Sequence, residues 1–368
     1  MRPLALLLTV LTAATAWPLC AATWSENDVA RWVQSAGGTI ERNDAGQIVG
    51  VDLSEKWISD DDLALLGRLE HLERINLAYT WISDQGLEEL KDLQNVRELS
   101  LYYCDYITDA AVIPLKGWKK LEVLDLEGAD VTSRAFEHIA HLENLRVLKV
   151  GHSRVEDEGF ENLAPLEKLE EISFGGNKMS GRALPLLKML PSLRKVELGG
   201  LQRTDSGLWG VALSDFNLDS LAELTQLTDL DLHDTKIGDK GLERLLGLKN
   251  LERLDLSGTL VGDLGMPVLP KFTQLRELRL WRAAKVGDRA MAAIAALPAL
   301  ETVDLAETSI SEEGLQALRT APSLKRLYVG ATAVSKAAAD AFAKEKPGVQ
   351  VSWAPLPPKP EPEEKEER

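Results

Sequence analysis

A leucine-centred unit returns a dozen times along this chain, and no other property of the sequence limits its fold as severely. The stretch Leu224 to Leu245 reads LTQLTDLDLHDTKIGDKGLERL, and aligning on Leu232 places its equivalents at Leu53, Leu77, Leu101, Leu126, Val150, Phe174, Leu198, Leu256, Leu280, Leu305 and Val329. Counting Leu232 in its place, the gaps are 24, 24, 25, 24, 24, 24, 34, 24, 24, 25 and 24 residues. A fixed period in the twenties with L-x-x-L-x-L in each unit predicts a solenoid, since one unit cannot bury its own apolar faces and depends on its neighbours for a continuous core.

Within one unit, Leu227, Leu230 and Leu232 fall on one side of a short strand, and Asp229, Asp231 and His233 alternate with them on the other. Thr235 and Ile237 then turn inward. Asp239 precedes a helical pattern in which Leu242 and Leu245 share a face, so the helix is expected to pack behind the sheet. The expected class is α/β, with a concave parallel sheet whose polar face is open and with helices on the convex side.

The pattern L-x-x-L-x-L-x-x-T/C-x-I followed by D-x-G-L resembles the leucine-rich repeat family over roughly residues 48–353. It is most similar to the cysteine-containing, ribonuclease-inhibitor-like subtype of F-box leucine-rich proteins and to secreted bacterial leucine-rich repeat proteins. The resemblance implies the horseshoe fold. It names no ligand, because a repeat scaffold displays whatever its variable positions encode.

The ends of the chain read differently. Residues 1–22 carry Arg2, the apolar run Leu4 to Leu11 and then small residues, the pattern of a cleaved secretory signal that is too short to span a bilayer. Ala14-Thr15-Ala16 and Cys20-Ala21-Ala22 offer cleavage sites; a lipid anchor on Cys20 is disfavoured by the bulk of Leu19. Residues 23–47 read as an N-terminal cap, a helix carrying Val29, Trp32, Val33 and Ala36 on one face followed by a strand and the turn Asn43-Asp44-Ala45-Gly46. Residues 354–368, rich in Pro and Glu, are expected to be disordered. With Cys20 removed, Cys104 is the one remaining thiol and no internal disulfide can form. In the family it resembles, its position points inward, so a packed structural thiol is expected.

Two internal features break the regularity. The 34-residue gap implies about ten extra residues, placed at 209–218 because Asp205, Gly207 and Leu208 keep the normal distance from Leu198. They form either a convex binding loop or, as favoured, a tolerated insertion whose Trp209 and Phe216 fold back on the core. Asp84, Asp109, Asp157, Asp205, Asp239, Asp263 and Asp288 recur at the helix starts and are expected to cap their own helices.

Candidate binding residues are sought at outward strand positions and in the loop beyond. Trp57, Tyr79, Trp81, Tyr102, Tyr103 and Tyr106 are expected to form one aromatic patch along an edge of the concave face, suited to a protein hot spot, a sugar platform, or mere stiffening of the solenoid end. Further along, Asp229, Asp231, His233 and Asp234 share the face with Arg253, Asp255, Arg279, Trp281, Arg282 and Asp304. Alternating signs favour a protein partner over a simple polyanion. Asp229, Asp231, His233 and Asp255 are acceptable metal ligands by type, but nothing fixes them in a closed geometry, so a solvated face is expected and no metal. His152 reads as a surface polar residue. No phosphate loop, H-E-x-x-H or C-x-x-C is present, and neither an enzyme nor a cofactor is indicated.

The formal charge of −16, or −17 after loss of Arg2, disfavours nucleic acid and anionic membranes. The expected function is a non-catalytic, exported protein-binding scaffold with a protein or glycan ligand. The alternatives are an F-box-like adaptor in ubiquitin-type turnover, which the leader contradicts, and an enzyme built on Asp229 to Asp255.

Overall fold

The computed structural model describes residues 24–204 and 207–353. The expected leader and the Pro/Glu tail lie outside the described residues, as does Asp205. Each 24-residue unit contributes one three-residue strand and one or two short helical turns. After an opening strand β1 (Thr39–Arg42), the chain forms β2 (Ile48–Asp52), β3 (Arg74–Asn76), β4 (Glu98–Ser100), β5 (Val123–Asp125), β6 (Val147–Lys149), β7 (Glu171–Ser173) and β8 (Lys195–Glu197). A separate pair, β9 (Gln202–Thr204) and β10 (Gly207–Trp209), precedes β11 (Asp229–Asp231), β12 (Arg253–Asp255), β13 (Glu277–Arg279), β14 (Thr302–Asp304), β15 (Arg326–Tyr328) and β16 (Gln350–Ser352).

β1 to β8 and β11 to β16 make one 14-stranded sheet in sequence order, antiparallel between β1 and β2 and parallel from there on. β8 pairs directly with β11, Val196 opposite Leu230, so β9 and β10 are looped out as an antiparallel hairpin. All twelve aligned residues from Leu53 to Val329 have no exposed surface, and they join a single continuous core. So little chain remains between strands that several convex segments are 3-10 turns, as at Asp109–Val112, Phe160–Leu163 and Met266–Lys271.

Helix α1 (Glu26–Ser35) covers the first layer. Ser25 caps it in a reciprocal box with Asp28, and Val29 and Val33 are fully buried against the sheet.

The threonine position repeats one hydrogen bond. Thr80, Thr235, Thr259, Thr308 and Thr332 donate from Oγ1 to the carbonyl three residues back at 2.5 to 2.8 Å. Cys104 occupies the same place, fully buried, its Sγ 3.0 Å from the Leu77 carbonyl. It is a packed thiol.

Two expectations are corrected. The recurring aspartates do not cap their own helices. Each accepts the backbone N–H of a residue 23 or 24 positions later, one repeat further on: Asp84 from Thr108, Asp109 from Thr132, Asp157 from Ser180, Asp239 from Gly262, Asp263 from Gly287 and Asp288 from Ser311, at 2.6 to 2.8 Å. They staple neighbouring repeats together. Their own helices are capped by the preceding residue where that is Ser or Thr, as at Ser83 and Thr108.

The extra residues are the second correction. Asp215 makes the staple in the long repeat, accepting from Gly238 N at 2.7 Å. Leu218 and Leu221 stand buried where Leu242 and Leu245 stand one repeat later. The insertion is therefore 201–210 rather than 209–218, and it is a hairpin leaving the end of β8. Its Leu208 is 64% exposed, and Phe216 just beyond is 84% exposed beneath the Arg244 guanidinium, so Phe216 does not fold back on the core.

Candidate functional site

The position two residues after each aligned leucine adopts a left-handed backbone in all twelve repeats. Eight of these are not glycine: Glu55, Tyr79, Tyr103, His152, Asp234, Arg282, Glu307 and Ala331. This conformation, unfavourable for most side chains, swings each one off the strand direction and along the rim of the concave face. Tyr103 thereby reaches the next repeat, where its ring occupies the space a Cβ on Gly128 would need, and His152 does the same over Gly176.

The six aromatics separate into two groups. Tyr79, Tyr102 and Tyr103 form a cluster with centroids 4.9 to 5.7 Å apart, turned into the concave face. Trp57, Trp81 and Tyr106 form a second stack, 5.9 and 5.8 Å apart, on the outer rim. Four residues beyond the strand leucine, or five in the lengthened repeat of Tyr106, the chain has already turned toward the convex side, which carries these rings away from the tyrosines.

Tyr79 and Tyr102 of the cluster and Asp231, His233, Asp255, Arg279 and Trp281 of the charged stretch, far apart in sequence, line one concavity of about 630 Å³, whereas Asp229 and Arg253 do not reach it. Tyr79 and Tyr102 stand at one end and Arg279, Trp281 and Asp304 at the other, with His152, His233 and Asp255 between them. The floor between Glu127 and His233 contains Gly175 and Gly199, and a Cβ at Gly199 would lie 2.2 Å from His233 Nδ1. His152, read from sequence as a surface residue, belongs to this wall, its Nδ1 3.3 Å from Glu127 Oε1. The glycines that recur at its own left-handed position, Gly128, Gly176 and Gly200, were the signal that could have exposed it.

The charged residues form a folded network rather than a solvated face. Asp229 and Asp231 are buried. Asp229 is gripped by Arg253 through Nε and, at 2.7 Å, through Nη2, and it also accepts from Thr228 Oγ1. Asp231 accepts from His233 at both the backbone N–H (3.1 Å) and Nδ1 (2.7 Å). Burial alone would discharge His233, but the hydrogen bond and charge of Asp231, with Asp255 and Asp234, outweigh it and raise the imidazole to about 9. Burial and the adjacent Asp231 carboxylate push Asp255 upward, against the hydrogen bonds from Ser257.

Asp255 and Asp304 also accept the N–H two residues on, from Ser257 and Ala306, both at 2.9 Å, fixing the turn that ends each strand. At the far wall Arg279 Nε donates to Glu277 (2.7 Å), Trp281 Nε1 donates to Glu307 (3.1 Å), and the Arg282 guanidinium lies 4.9 Å from the Trp281 ring centroid. Among the described residues no group of three or more His, Cys, Asp or Glu side chains is arranged to hold a metal ion. No helix among them is long and apolar enough to cross a membrane.

A parallel sheet with one strand per 24-residue unit, short helical turns behind it and a polar concave wall defines a repeat solenoid built for recognition. The family model of the leucine-rich repeat region matches residues 115–344, and a second leucine-rich repeat model matches residues 68–91. The chain belongs to the leucine-rich repeat family, which in general supplies binding scaffolds rather than enzymes.

No curated protein matches the sequence. Among solved structures, an internalin from Listeria monocytogenes superposes with a TM-score of 0.54 at 18% identity, covering 81% of this chain and 93% of its own. The structure of the Rad7 and Elc1 complex in yeast superposes at 0.56 and 17% identity, covering 80% of this chain and 78% of the matched one. These likenesses establish the shared fold.

Proposed function

We propose that the protein is a non-catalytic binding scaffold, exported from the cytoplasm, whose concave wall holds a protein ligand. The observation that carries this reading is the joining of Tyr79 and Tyr102 to His233, Arg279 and Trp281 around one concavity of about 630 Å³. Aromatic and arginine side chains concentrated in a concave, pre-formed wall are the composition of protein hot spots. The buried carboxylates of Asp229 and Asp231, held by Arg253 and His233, keep that wall rigid, so little ordering is required on binding. Export is supported by Arg2, the apolar run Leu4 to Leu11 and the small residues that follow.

The test compares the wild type with Tyr102→Ala/Trp281→Ala on arrays of extracellular protein domains and of neutral glycans, with thermal unfolding to confirm that the variant folds. Removing one aromatic from each end of such a wall is expected to weaken a protein ligand that spans it at least about tenfold. Undiminished capture of every ligand by the folded variant would refute the site, and binding to glycans alone would replace the ligand class. Mass spectrometry of the native protein's N-terminus checks export, which fails if the chain still begins at Met1 or Arg2.

A further inference from the structure

The outer-rim stack of Trp57, Trp81 and Tyr106 lies apart from the concave wall. We propose that it is a second docking surface, one that takes a basic segment of a partner polypeptide. The three rings occupy the same position in three consecutive repeats and are 87%, 54% and 52% exposed. An in-register row of exposed aromatics contributes nothing to the core, where each repeat already buries its leucines.

The partner's chemistry follows from ring geometry and charge. Trp57 and Trp81 are stacked with their planes 10° apart, and Tyr106 is tilted by 36° against Trp81. Stacking turns the faces of the middle ring toward its neighbours. A pyranose, which packs flat on an aromatic face, finds no run of such faces here. The face of Trp57 directed away from Trp81 remains, on the most exposed ring of the three, and the indole face is the best aromatic site for a guanidinium or ammonium group.

The rim around the stack is acidic. The turns 54–62, 78–86 and 102–110 contain Glu55, Asp60, Asp61, Asp62, Asp84, Asp105 and Asp109 against Lys56 alone, a net −6 in three repeats. The equivalent turns of the other nine repeats together carry −3. Acidity is thus concentrated where the aromatics are. The stack is roughly 12 Å long, the reach of three or four residues of extended chain, whose Lys or Arg stems can lie along the ring edges while their charges meet the acids.

The test measures binding of a fluorescent peptide of six arginines to the full chain. Trp57→Ala/Trp81→Ala/Tyr106→Ala leaves the charge unchanged and is expected to raise the Kd at least about tenfold, while Trp57→Phe/Trp81→Phe/Tyr106→Phe keeps most of the binding. Glu313→Gln, in an acidic turn that lacks the aromatics, should change the Kd less than about twofold. Equal affinity in the triple-alanine variant would overturn the proposal by showing that charge alone attracts the peptide. So would binding of chitohexaose, rather than the peptide, to the stack. Loss of peptide binding in Tyr102→Ala/Trp281→Ala, with the triple-alanine variant unaffected, would sink this inference and leave the concave site standing.

Discussion

Asp125 shows how a concave-face carboxylate can be held at the expense of the fold. Burial lifts its pKa to about 6, more than Lys149 (Nζ at 3.8 Å) and the Glu127 N–H (3.1 Å) can offset. The folded protein therefore holds this proton more tightly than the unfolded chain, whose value is near 3.8. Below about pH 4 the group is neutral in both states and carries no penalty. As pH rises from about 4 through 6 the folded state must accept a poorly solvated charge, and stability is lost in that window and stays lost above it. Asn at this position keeps an oxygen for the Glu127 N–H but never ionises. Asp125→Asn is expected to stabilise the protein by about 1–3 kcal/mol at pH 7.5 and by about a third as much at pH 4.5, measured by urea unfolding at the two pH values. An equal gain at both would show that the charge is not the cause.

At the scale of the repeat, the D-x-G-L signature has a physical reading that strand periodicity does not contain. The aspartate of one repeat lies against the glycine of the next: a Cβ on Gly86 would sit 2.7 Å from Asp60 Oδ1, one on Gly241 2.5 Å from Asp215 Oδ1, and one on Gly314 2.3 Å from Asp288 Oδ1. Removing the Cβ makes room for the staple. The strands were legible in the sequence because their leucines alternate locally, and the buried cysteine was legible because it replaces threonine in a fixed frame. The staples were not, because donor and acceptor are a whole repeat apart and a helix cap looks the same from one repeat alone.

The misplaced insertion has the same origin. Residues 205–208 read Asp-Ser-Gly-Leu and imitate the signature, while the true segment 215–218 reads Asp-Phe-Asn-Leu. Asn217 can stand where glycine usually does because the repeat before it has Gly181 in place of the stapling aspartate, so no carboxylate needs that space. Since 201–210 is an addition to a repeat whose hydrogen bonds already close on both sides, with Gly200 N to His233 O and Lys236 N to Leu213 O, excising it by joining Gly200 to Val211 should leave a folded protein. Circular dichroism should be unchanged and Tm should fall by no more than about 4 °C. Failure to fold would mean that the hairpin supports the repeat.

Along the solenoid each repeat packs its core on its immediate neighbours, with concave-face contacts such as Arg282 to Asp234 reaching one repeat further, so damage at one end should stay near that end. The concave wall is assembled from β3 to β14, whereas the rim stack belongs to the first three repeats, next to α1. Val29 and Val33 of α1 pack on that first layer, and β1 covers the open edge of β2. Val29→Asp/Val33→Asp places two carboxylates in this contact, which cannot bury them unpaired. Hydrogen exchange is expected to show faster opening of β2 to β4 with little change from β11 to β15. Arginine-peptide binding at Trp57, Trp81 and Tyr106 should weaken while Arg279 and Trp281 keep their protection. Uniform loss of protection along all the strands would contradict this picture, because it would make the solenoid one cooperative unit whose two surfaces cannot be lost separately.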